Sequence, residues 1–152
     1  MTYREAINLG EKVLNMADVA DAKIDAWLLL EMVCKIDRSF YYLHMEDEVA
    51  EEQLSEYEIA LRKRAEHVPL QYIVGEAEFM GLKFKVNSNV LIPRQDTETL
   101  VEEALKVVKP GMKVLDMCTG SGCIIVSIVH NIPEVELSLI HISEPTRRVV
   151  IS

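Results

Sequence analysis

The chain has 152 residues, 49% hydrophobic and 27% charged, with a net charge of −9; this is a soluble globular balance and excludes a disordered or fibrous chain. No stretch reaches the roughly 18 apolar residues that span a bilayer, and Met1 to Lys12 lacks a basic-then-apolar leader, so a cytoplasmic protein with no membrane partner is expected. The charge is uneven: Met1 to Leu70 holds 15 acidic and 8 basic residues, which repels phosphate backbones and excludes direct nucleic-acid binding, while suiting a basic protein partner or a plain solvated surface.

The first seventy residues carry helical spacing. Tyr3, Ala6, Ile7, Gly10, Val13 and Leu14 fall on one face. Ile24, Trp27 and Leu28, with Leu29, Leu30, Met32 and Val33, make a helix apolar on most sides, which places it centrally in a bundle. Leu54, Tyr57, Leu61, Ala65 and Val68 form a third stripe that ends at Pro69. The period then changes. Phe79, Leu82, Phe84 and Val86 alternate with charged residues around Met80-Gly81, a β-hairpin pattern.

After Pro93, Asp96 or Thr97 can cap a helix carrying Leu100, Val101, Ala104, Leu105 and Val108, which stops at Pro110-Gly111. Met112 to Met117 is a short apolar strand, followed by a glycine-containing turn and an apolar helix from Cys123 to His130. Strand, turn and helix in this order open an α/β fold. The domains expected are a helical bundle over 1–70, a hairpin linker over 71–95 and the start of a doubly wound sheet over 96–137.

The chemistry-bearing run is Asp116-Met117-Cys118-Thr119-Gly120-Ser121-Gly122, at the carboxyl end of that strand, where open α/β sheets bind ligands. Glycines there allow a sharp turn and close backbone approach. Counted from Cys118, the first and last glycine positions of a dinucleotide fingerprint hold Cys118 and Cys123, and counted from Gly120 the last holds Ile125, which disfavours an oxidoreductase. No Lys sits at the turn for a phosphate loop. Cys34, Cys118 and Cys123 are widely spaced with no His pair at ligand spacing, so neither a disulfide framework nor a metal site is expected.

Three upstream blocks precede this loop: Pro69 to Gly75 (PLQYIVG), Glu78 to Leu82 (EFMGL) and Leu91 to Glu98 (LIPRQDTE). Their order and spacing ahead of VLDMCTGSGCI resemble the HemK/PrmC family of methyltransferases acting on peptide chain release factors. The resemblance runs from about Ala26 to about Val135. It implies a helical domain that helps hold the release factor and a class I, Rossmann-like domain binding S-adenosyl-L-methionine. The implied reaction methylates the side-chain amide of the glutamine in the release factor's Gly-Gly-Gln motif. A monomer is expected.

Carried over by resemblance, Cys118, Thr119, Gly120, Ser121 and Gly122 match the cofactor loop. Asp116 matches the acidic residue that organises that loop and the methionine end of the cofactor. Phe84, Arg94, Thr97 and Glu98 match a segment beside the active site; an Arg94–Glu98 ion pair at the helix start is the plainer alternative for those two. The sequence departs from the family in two places. His141 stands where a ribose-binding carboxylate belongs, and histidine cannot replace a bidentate anionic acceptor. The family's Asn-Pro-Pro-Tyr turn, which positions the amide, is absent, so no catalytic residue is assigned and this chain is expected not to turn over. Residues 138–152 read as a non-native tail. Apolar Val114, Leu115, Ile124, Ile125 and Ile128 are expected to lack cover. A helical protein-binding module without catalysis is the alternative reading.

Overall fold

A computed structural model describes residues 1–117 and 119–140 of the chain; residues 141–152 of the supposed tail, His141 among them, lie outside it. The described residues form an α/β protein of two compact units that divide between Val74 and Gly75.

The first unit is helical: α1 (Tyr3–Met16), α2 (Ala22–Cys34), α3 (Arg38–His44), α4 (Glu51–Ala65) and α5 (Leu70–Val74). α1 starts with a capping box, in which the Thr2 hydroxyl accepts from the Glu5 amide at 3.2 Å and the Glu5 carboxylate accepts from the Thr2 amide at 2.9 Å. Its buried stripe, Tyr3, Ala6, Gly10 and Leu14, meets Ala26, Leu29 and Leu30 of α2 and Tyr57 and Leu61 of α4 in one core. α2 is central as expected, although Ile24 is 54% exposed. A buried ion pair, Arg64 Nε to an Asp25 carboxylate oxygen at 2.6 Å, ties the start of α2 to the end of α4. The same guanidinium donates to the Val68 carbonyl at 3.1 Å, fixing the exit toward Pro69. The sequence reading had no counterpart to α3, because none of its seven residues is buried and it has no apolar stripe. Its one local signal is the Asp37 cap, which accepts from the Phe40 amide at 2.7 Å.

The second unit begins with the hairpin β1 (Glu76–Phe79) and β2 (Leu82–Lys85), followed by α6 (Asp96–Val107), β3 (Lys113–Met117), α7 (Cys123–Asn131) and β4 (Glu136–Ile140). Met80 and Gly81 both take positive φ, 51° and 71°, as a two-residue hairpin loop of the primed type requires. The hairpin is more than a connection. Phe79 and Phe84 pack edge to face, 6.2 Å between ring centres, in a core shared with Val101 of α6 and with Cys123 and Ile128 of α7. α5, expected within the linker, packs instead with the helical unit.

β3 and β4 pair in parallel, with Asp116 opposite Leu139, so β3, α7 and β4 make one crossover unit. Ser138 to Ile140 complete this ladder. The expectation that the apolar residues here lack cover is largely corrected. Ile125 and Ile128 are buried, and Val114 and Ile124 pack against the same core, because α6 and the hairpin lie over α7. Leu115 alone of the five stands exposed, at 52%. In α6, Val101 is fully buried but Leu100 is 56% exposed. Gln95 holds the cap position with no side-chain bond, so neither Asp96 nor Thr97 caps.

Candidate functional site

Alternation along β3 decides where Asp116 points. Lys113, Leu115 and Met117 are exposed, while Val114 and Asp116 are half-buried on the opposite face. Val114 packs against the core that α7 covers, so Asp116 lies on the helix-covered face, one residue from the strand end. Burial raises its carboxyl above the usual 3.8. Its Oδ2 is shut off from solvent and has no hydrogen-bond partner among the described residues. An unpartnered buried carboxylate oxygen is costly, and such groups mark places where a ligand's donor can compensate.

The chain leaves β3 by a tight turn. The Thr119 hydroxyl donates to the Asp116 carbonyl at 3.2 Å, and the Gly122 amide donates to the Thr119 carbonyl at 2.9 Å. Gly120 and Gly122 take φ of 59° and 77°. A Cβ at Gly122 would meet only ordinary neighbours, Thr119 Cγ2 at 3.7 Å and Val126 Cγ2 at 3.9 Å, so glycine is required here by conformation and not by space. α7 follows at once, with no side-chain cap on its N-terminus. Its first amides have no partner within the helix and carry the positive end of its dipole. Carboxylate acceptor and bare amide donors thus flank one glycine turn, which suits a ligand bearing both a cationic or hydroxyl donor and an anionic group. Ser121 is half-buried in the turn; Cys118 lies outside the described residues.

The neighbouring residues expected at the site have these positions. Phe84 is buried in the hairpin core. Arg94 is exposed, and its carbonyl accepts from the Thr97 amide at 3.0 Å. Glu98 does not pair with Arg94, which makes no ion pair among the described residues. Instead the Glu98 carboxylate accepts from the Met80 amide at 2.6 Å. This bond fastens the left-handed hairpin turn to the first turn of α6, and no local sequence signal encodes it because the partners are 18 residues apart. No group of residues able to hold a metal exists among those described, and none of their helices is long and apolar enough to cross a membrane.

Fold and site together define an α/β protein whose first unit is helical and whose second holds a glycine-bounded strand-to-helix turn following a strand with an orphaned carboxylate. Residues 5–75 match the PrmC N-terminal domain. A release factor glutamine methyltransferase of Clostridium acetobutylicum is 42% identical over 151 residues, covering 98% of this chain and 53% of that protein. Those of Moorella thermoacetica and Koribacter versatilis are 37% and 34% identical over 145 residues each, covering 94% of this chain and 51% and 52% of theirs. Over most of its length the chain is similar to these release factor glutamine methyltransferases, and it spans about half the length of these relatives.

Proposed function

We propose that this chain carries the release-factor-holding unit and the beginning of the S-adenosylmethionine site of an enzyme that methylates the Gly-Gly-Gln glutamine of a release factor. The observation that carries this is the orphaned Asp116 oxygen beside the uncapped, glycine-bounded start of α7. β3, α7 and β4 are read as the opening of a Rossmann-like sheet. The methionine end of the cofactor has an ammonium and a carboxylate, and the residues fit both: Asp116 accepts from the cation, and the amides at the start of α7 take the anion. The bound cofactor supplies an electrophilic methyl group on a sulfonium.

The sequence has no Asn-Pro-Pro-Tyr turn. Holding a weakly nucleophilic amide in line with the methyl group is a positioning effect worth several kcal/mol, on the order of 7 or more in favourable cases. The 152-residue chain therefore holds cofactor-binding and partner-binding elements without the means to present the amide. The test completes the chain to its relatives' length and supplies labelled S-adenosylmethionine with a purified release factor. Label on the Gly-Gly-Gln glutamine from the completed protein, and none from the 152-residue chain, is expected. No transfer by the completed protein, or transfer to a release factor with that glutamine replaced by alanine, overturns the proposal.

A further inference from the structure

Between α1, α2 and α3 runs a groove of about 460 Å³, within the range of ligand-holding clefts, roughly 300–1,000 Å³. Trp27 and Tyr41 form its floor, edge to face at 5.4 Å, and Tyr42 stacks edge-on to Tyr41 at 5.5 Å. Ile24 and Tyr42 rise from the rim, 54% and 63% exposed. Side by side in one concave groove, these apolar side chains offer a surface that a partner can cover.

The charges of the groove run against those of the unit around it. Of the 8 basic residues up to Leu70, Arg4, Arg62 and Arg64 are held by Glu46, Glu58 and Asp25. The other five, Lys12, Lys23, Lys35, Arg38 and Lys63, make no ion pair among the described residues; of these Lys23 and Arg38 line the groove, where Glu11 is the one carboxylate. The Arg38 guanidinium lies over the Trp27 ring, 5.6 Å from its centre. Stacking on an aromatic ring holds the guanidinium plane and leaves its N–H edge free to take a carboxylate in a forked, bidentate pair. A cationic, aromatic groove in an acidic unit selects an occupant in two ways. The acidic surroundings draw in a basic protein at long range. The groove then accepts the place on it where a carboxylate stands next to an apolar side chain.

Resting on the reading of this unit as the holder of a release factor, we infer that the groove docks a segment of that protein presenting a carboxylate beside an aliphatic or aromatic side chain. Trp27 is the chain's single tryptophan and lines the groove, so this chain's tryptophan emission responds to what binds there.

The test titrates the full chain with purified release factor and, in parallel, with a short peptide of alternating Leu and Glu. It compares wild type with the exposed double variant Lys23→Glu/Arg38→Glu, whose helical content is checked by circular dichroism. A saturable change in Trp27 emission with both probes, weakened at least tenfold in the variant, is expected. Release factor bound equally by both proteins, with Trp27 silent, overturns the groove and leaves the proposed function standing. Release factor ignored by wild type sinks the partner reading. In that case a peptide response lost in the variant still supports the groove, and no peptide response overturns it.

Discussion

Gly10→Ala sets a local gain against a tertiary cost. Gly10 sits mid-way along α1, where alanine is the better helix former by about 1 kcal/mol. In the folded unit, however, the new methyl meets the Tyr57 hydroxyl well inside contact distance, with Tyr57 Cζ at 3.0 Å and Ala26 Cβ at 3.1 Å. Tyr57 is 1% exposed and donates to the Ala26 carbonyl at 3.1 Å, so its ring has no free space to enter. Overpacking of this kind costs about 1–3 kcal/mol, and the displaced hydrogen bond about 1 kcal/mol more. The cost exceeds the propensity gain, and a net destabilisation of about 1–3 kcal/mol is expected from these terms. Urea denaturation followed by Trp27 emission reads this unit directly. Tyr57→Phe removes the clashing oxygen, so Gly10→Ala should cost less in that background, giving a favourable coupling in the double-mutant cycle. A Gly10→Ala chain as stable as wild type, or strictly additive effects, refutes the reasoning.

Glu98→Ala removes the acceptor of the Met80 amide. A charge-assisted bond of this kind is worth about 1.5–3 kcal/mol, so a comparable loss in denaturation is expected, with Glu98→Gln recovering much of it. For Asp116, burial raises the folded-state carboxyl above its unfolded value of 3.8. That favours the protonated form, so its stabilisation is full below the unfolded value and lost as pH rises through the folded one. Asp116→Asn should therefore melt higher than wild type at neutral pH and lose the advantage toward about pH 3, while forfeiting ligand binding; an equal shift at both pH values speaks against it. Gly120→Val forces a β-branched residue to a φ of 59°, a strain of about 1–2 kcal/mol. Affinity of the completed protein for S-adenosylhomocysteine should fall at least tenfold with helical content unchanged on circular dichroism.

Much of this fold was legible because its signals are local. The stripes Tyr3–Leu14 and Leu54–Ala65, the Met80-Gly81 turn and the run from Lys113 into α7 each follow from spacing or from the conformations glycine allows. Contacts between distant segments were not legible. That Arg64 would reach Asp25, or Glu98 the Met80 amide, depends on separations of 39 and 18 residues that no period encodes. α3 escaped because an exposed, aromatic-rich helix has no buried face to write a pattern. At the site, the glycines announced the turn. The solitude of the Asp116 oxygen appeared only once Val114 fixed which face of β3 is covered. Exposed Leu100 and covered Ile125 show the same limit, since helical periodicity names a face without saying what lies against it.

The central claim is that the turn after β3 receives the amino-acid end of an adenosine-bearing methyl donor. The most direct measurement is an amide nitrogen–proton correlation spectrum of the 152-residue chain titrated with S-adenosylhomocysteine to millimolar concentration. Progressive shifts at Thr119 to Ile124, with the amides of Tyr3 to Ala65 unmoved, are the predicted result. Silence at that turn, or shifts centred on the helical unit, contradicts it.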